Sequence, residues 1–163
     1  MLMSRIDNEI RVSQSVLDRL IDMEPKISTE PPKSRSQSLA ELKQAVRRDL
    51  EWLLNTRCFN DPGDGGLEES QKSVAFYGLP DFTGLSAKSH IEQSRMTKAI
   101  EIAIRDFEPR FTNLKVTLEP INNIDRMFKF RIEASLDIEP TPEPVTFDTV
   151  LQMGSGSFAV QEA

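Results

Sequence analysis

Phe128-Lys129-Phe130-Arg131-Ile132-Glu133-Ala134-Ser135-Leu136-Asp137-Ile138 is the stretch that decides the fold. Apolar residues hold every even position and polar residues every odd one. This is the period of two that turns one face of a β-strand to a core and the other to water. The same alternation precedes it in Leu114, Val116 and Leu118, set against Lys115, Thr117 and Glu119. It follows in Val145, Phe147, Thr149 and Leu151, with Pro140, Pro142 and Pro144 as the connection and Gly154 and Gly156 beyond. Consecutive strands with short links predict an antiparallel meander. In a three-stranded sheet the last strand, VTFDTVLQM over 145–153, is an edge with one charge and no lysine. Edges are normally protected by lysine, proline or a bulge. Two readings follow. A partner adds a strand along Val145, Thr146, Phe147, Asp148, Thr149, Val150 and Leu151, or the chain's own N-terminal or C-terminal tail covers them.

Upstream of Pro109 the period lengthens. Ile100, Ala103, Ile104 and Phe107 mark the inner face of a helix that Ser89 and Glu92 open as a capping box and Pro109 ends. An earlier helix is predicted from Ser38, capped with Glu41, to near Arg57, with Leu39, Leu42, Val46, Leu50, Leu53 and Leu54 inward. Trp52 lies off the centre of that stripe and is read as a broad-core residue ahead of an interface anchor. The fold class is therefore α+β, two main helices on one face of a small antiparallel sheet. Between the helices, 73–86 reads SVAFYGLPDFTGLS. Phe76, Tyr77, Leu79 and Phe82 are too apolar to leave in water, while Gly78, Pro80 and Gly84 prevent a long element. The segment either packs irregularly on the domain or is covered by a partner.

Residues 24–37, with Pro25, Pro31 and Pro32 among polar residues, have linker composition. The boundary falls there, giving an N-terminal extension over 1–37 and a domain over 38–163. Val12, Val16, Leu17, Leu20 and Ile21 are spaced along one face of a short helix that needs a surface to dock on. It is read either as a docking peptide on a tether or as a frayed arm.

The chain of 163 residues carries a net charge of −6. That balance gives no basis for nucleic-acid binding, which needs a clustered basic surface. A single Cys58 excludes an internal disulfide, and with one His90 no His/Cys metal site or cofactor is predicted. Asn60 to Gly66 is turn-rich, but it lacks the ligand spacing of a calcium loop and the Gly-Lys-Ser/Thr end of a phosphate loop. Charges interrupt any leader-like run near the N-terminus, and no apolar run reaches membrane-spanning length. The expectation is a soluble, cytoplasmic protein without direct membrane insertion. Paired carboxylates are the one catalytic device left open, as in a peptidoglycan glycosidase, but 26 acidic residues make such a pair unspecific. More informative is Phe107-Glu108-Pro109-Arg110. Asp106 and Glu108 put negative charge at a helix C-terminus, against the dipole. Either Arg110 pairs with Glu108 locally, or Pro109 fixes the corner and Arg110 projects its fork to another subunit.

In order, VSQSVLDRL (12–20), AVRRDLEWLLNTR (45–57), SVAFYGLPDF (73–82), FEPRF (107–111), FRIEASLDI (130–138) and EPVTFDTVL (143–151) resemble the TssE family. That family is similar to the wedge and sheath-initiator protein of contractile phage baseplates. The resemblance covers nearly the whole chain. It implies a non-enzymatic subunit of a type VI secretion baseplate, cytoplasmic and docked at the inner-membrane complex. It also implies TssF and TssG as wedge-core partners, reached through Glu108, Pro109 and Arg110. A C-terminal sheet that starts the TssB/TssC sheath by adding or exchanging strands is the third implication. The lysozyme label carried by the phage relatives is not transferred, because no distinctive acid and nucleophile constellation is present.

Overall fold

The structure is a computed structural model and describes residues 12, 15–21, 34–58, 73–82, 89–119, 127–152 and 154–162. Its centre is the alternating stretch. Strand β2, Met127–Leu136, turns Phe128, Phe130, Ile132, Ala134 and Leu136 inward. It pairs antiparallel with β1, Phe111–Leu118, on one side and with β3, Glu143–Gln152, on the other. A fourth strand, β4, Ser157–Glu162, pairs antiparallel with β3, so the sheet order is β1-β2-β3-β4. The expected meander is present, extended by one strand.

β4 corrects the edge assignment. Its Glu162 to Ser157 lie opposite Phe147 to Gln152, so Phe147–Leu151 are paired on both sides and only the start of β3 extends past β4. The chain's own C-terminal tail covers the strand. Pro144 falls in that overhang, where its missing N–H disturbs least. The true outer strands are β1 and β4. β1 is interrupted by a register shift between Thr112 and Lys115, where Asn113 takes a left-handed φ of 53°. A bulge of this kind blunts an edge.

Helix α1, Val16–Leu20, is capped by Ser15, whose Oγ accepts from the Asp18 N–H. Helix α2, Arg35–Asn55, starts three residues earlier than the sequence reading. Ser34, not Ser38, is the cap, and its partner in the capping box is Gln37. Ser38 instead lies in the first turn and donates to Ser34 O. The folded unit thus includes residues assigned above to the linker; its remaining portion, 24–33, lies outside the described residues, as do Asn60–Gly66 and Leu85. Helix α3, His90–Phe107, begins at the predicted Ser89 cap.

Leu42, Val46, Leu50, Leu53 and Leu54 of α2 and Met96, Ile100, Ala103 and Ile104 of α3 cover the inner face of the sheet. Each fully buried Leu, Ile or Phe here contributes roughly 1.5–3 kcal/mol against exposure. α2 packs beside β4 and α3 beside β1. Trp52, assigned to the core, is instead 52% exposed, with the Arg48 guanidinium 4.9 Å from its ring centroid. The leucine stripe already fills the space under α2, and Trp52 covers a cation instead. No helix among the described residues is long and apolar enough to cross a membrane.

Candidate functional site

Pro109 stops α3, and the chain turns at once into β1, placing Glu108 and Arg110 side by side at the corner. Glu108 is 5% exposed, the only buried acid among the described residues. Arg110 answers it with Nε to Oε1 at 2.6 Å and Nη2 to Oε2 at 2.5 Å, a fork on a carboxylate. The same Nη2 reaches Asp49 of α2 at 2.7 Å. Asp49 is in turn held by Arg48, which reaches Asp18 of α1 at 2.8 Å. One ladder of alternating charge therefore runs Glu108, Arg110, Asp49, Arg48, Asp18 and ties α1, α2 and the corner together.

The electrostatics follow from this order. The bond to Glu108 holds the Arg110 guanidinium above its ordinary value, against the burial that opposes charge. Burial pushes the Asp18 carboxyl up, but hydrogen bonds from Ser15 and Arg48 outweigh it and leave it below its ordinary value. Burial pushes the Tyr77 hydroxyl up, and the charges of Asp49 and Glu108 add to the shift. Tyr77 packs edge-on against Phe107, ring centroids 5.3 Å apart, and so seals the flank of the corner. Arg110 Nη1 is enclosed without a hydrogen-bond partner. Sequence reading left two roles for Arg110 open, and the local pairing with Glu108 is the one the structure contains.

The other sequence-predicted sites separate. Leu79 is fully buried, and Tyr77 and Phe82 pack against the core, while Phe76 is half-buried. Tyr77, Leu79 and Phe82 are covered by their own domain. The segment is tied to the end of α2 by Leu79 N–H to Thr56 O at 2.9 Å and Cys58 N–H to Leu79 O at 3.0 Å. Gly78, with φ of 115°, lets the backbones approach; a Cβ there would lie 2.4 Å from Thr56 O. At the N-terminus Val12 joins the core, whereas Val16 and Leu20 are 72% and 76% exposed and Leu17 is half-exposed.

Sequence reading missed Asp18, Arg48 and Asp49 as site residues. They stand in the polar remainder of two helices, and no local spacing announces a bond between residues 61 positions apart. Among the described residues, four acidic pairs each share a cation: Asp49 and Glu108 on Arg110, Asp18 and Asp49 on Arg48, Glu119 and Asp148 on Arg131, and Glu143 and Glu162 on Lys43. A carboxylate pair bridged by a cation is not the acid and nucleophile pair facing a sugar across an open cleft. Among the described residues no group of His, Cys, Asp and Glu could hold a metal ion.

A family model described as baseplate wedge protein gp25 matches residues 40–141. The match includes the corner, most of α2 and the strands β1 and β2, and it stops before β3. No curated protein matches the chain. With more than half of its length matched, the chain belongs to the baseplate wedge protein gp25 family, a structural family of phage-tail-like baseplates, in agreement with its TssE-like motifs.

Proposed function

We propose that this protein is a structural subunit of a type VI secretion baseplate. In this reading it docks on the TssF/TssG wedge core through the Glu108-Pro109-Arg110 corner. Its C-terminal sheet then nucleates the TssB/TssC sheath by strand pairing. The observation that carries the reading is the wedge-family match across 40–141, which spans the corner. The geometry supports a docking role of a particular kind. Glu108 and Asp49 hold Arg110 in one orientation, and the side chain remains 27% exposed, so a partner meets a pre-ordered cation. For the sheath, β3 is already paired on both sides, so this reading calls on an outer strand of the sheet, β1 or β4.

The test is co-purification of the full chain with co-expressed TssF and TssG. Wild type is compared with Glu108→Leu/Arg110→Met, which removes the exposed cation together with the charge it neutralises. The expected result is a folded double variant, by circular dichroism and melting, that no longer co-purifies. A folded double variant that binds as well as wild type refutes docking through the corner.

A further inference from the structure

Helix α1 is amphipathic in the reverse sense. An ordinary surface helix turns its apolar stripe to the core and its charges to water. In α1 the acid is the inward residue: the Asp18 side chain is 11% exposed and reaches Arg48 at 2.8 Å. Val16 and Leu20, four positions apart and so on one face, are largely exposed, and Leu17 and Ile21 are about half-exposed. No residue of α1 is buried. A helix of five residues is not held by its backbone bonds alone. This one is kept by the Ser15 cap, by the Asp18–Arg48 pair, and by Val12, anchored in the core just ahead of it.

The apolar surface continues past α1. The Arg48 guanidinium that holds Asp18 also lies over the Trp52 ring, so half-exposed Trp52 adjoins α1 across a single cation. Val16, Leu17, Leu20, Ile21 and Trp52 thus stand at one end of the charge ladder whose other end is the Glu108–Arg110 corner. Arg110 is near enough for its charge to act on the Asp18 carboxyl, which makes patch and corner neighbours on one surface. An exposed apolar cluster beside polar groups marks an interaction surface, and tryptophan is a side chain in which binding energy concentrates. Arg19, in the same turn, is exposed as well. A second copy would bring the same Arg19 and another net charge of −6. Continuity with the corner favours instead the partner that meets Arg110.

We propose that α1 is a helix displayed to the protein that docks at the corner. Val16 and Leu20 are its anchors, seated with Trp52 beside them in an apolar groove of that protein, and a carboxylate at the rim of the groove meets Arg19. Anchors at i and i+4 are the spacing by which a helix is read in a groove. The Asp18–Arg48 pair orders α1 beforehand, so binding does not bear the cost of forming the helix. The identity of the partner as the wedge core rests on the corner-docking reading above.

The test titrates a purified TssF–TssG complex with the full chain, wild type against Val16→Gln/Leu20→Gln, which keeps good helix formers and removes both anchors. The expected result is an unchanged melting midpoint, since both side chains are exposed, and binding at least about ten-fold weaker. The Arg19 and Ile21 amides, which donate to Ser15 O and Leu17 O, exchange more slowly in the wild-type complex than in the free chain. Arg19→Glu weakens binding several-fold, and its binding like wild type overturns the acidic rim. Wild-type affinity in the double variant, or α1 amides that exchange alike free and bound, overturns the proposal and leaves the corner reading standing. A lowered midpoint also overturns it, because Val16 and Leu20 then serve their own fold. Self-association of the wild type that the double variant loses assigns the face to a second copy and overturns the wedge core as occupant. A wild type that does not bind the complex at all removes the corner reading, and the proposal falls with it.

Discussion

Replacing Arg110 by alanine removes the cation but leaves Glu108, whose side chain is 6% exposed, as a buried carboxylate without its partner. Breaking a buried ion pair from one side costs about 3–5 kcal/mol, because the remaining charge stays desolvated. The Asp49 arm adds little, being 25% exposed and still bonded to Arg48. Water can enter the space vacated by a side chain that is itself 27% exposed, which places the cost near the lower end, about 3 kcal/mol. Against a total of roughly 5–15 kcal/mol, the variant stays folded but weakened. In urea, with a slope of about 1.5–2 kcal/mol per molar, the midpoint falls by roughly 1.5–2 M. Glu108→Leu/Arg110→Met removes both charges and recovers most of that loss, since well-packed apolar groups commonly replace a buried pair at no net cost. A midpoint for Arg110→Ala within about 0.3 M of wild type, or a double variant no better than the single one, refutes the argument. The consequence for binding assays is direct. Loss of a partner in Arg110→Ala alone does not separate docking from unfolding, and the double variant does.

Thr149 sits in the core at 1% exposure with its Oγ1 unpartnered, so Thr149→Val should raise stability by about 1 kcal/mol in the same urea titration. Gly78→Ala should lower it by at least about 1–3 kcal/mol, since a Cβ would meet Thr56 O at 2.4 Å on a backbone with φ of 115°; an unchanged midpoint contradicts the close approach. The Asp18 carboxyl is depressed in the folded state, so its contribution is present above its ordinary value and lost as pH falls through the lower folded one. Below about pH 4, hydrogen exchange at the Arg19 and Ile21 amides should accelerate before that of β2. Asp18→Asn should abolish that pH dependence, and persistence of the same dependence assigns it to another group.

Periods carried most of the fold into view. The β2 alternation is decisive because every inward position is apolar and every outward one polar, and Ser89 and Pro109 bracket α3 with local chemistry that needs no tertiary help. The start of α2 was missed because Ser34-Gln37 and Ser38-Glu41 are both capping boxes by sequence. The cap further upstream adds a turn of backbone bonds. β4 had a readable signal, Phe158 and Val160 alternating after the Gly154-Ser155-Gly156 turn, a hairpin pattern that shortness concealed. The corner was legible as an anomaly, two acids at a helix C-terminus. Its solution was not, because Asp49 and Arg48 join it only through tertiary packing.

The corner and β4 are both fastened to α2. Asp49 and Asn55 are six positions apart, about 9 Å along the axis, with Leu50, Leu53 and Leu54 buried in the turn and a half between them. A signal from the wedge corner to the β4 edge would need a two-state element between them, and packed leucines on an unbroken helix supply none. What can move at the corner is a side chain, the Arg110 fork, while Asn55 ties the far end of α2 to Phe158 of β4. α2 then acts as a fixed strut that holds a wedge-facing cation and a strand edge at constant separation. In the proposed assembly this is what a sheath initiator requires, since the first sheath strand must be laid at a set distance and angle from the baseplate core.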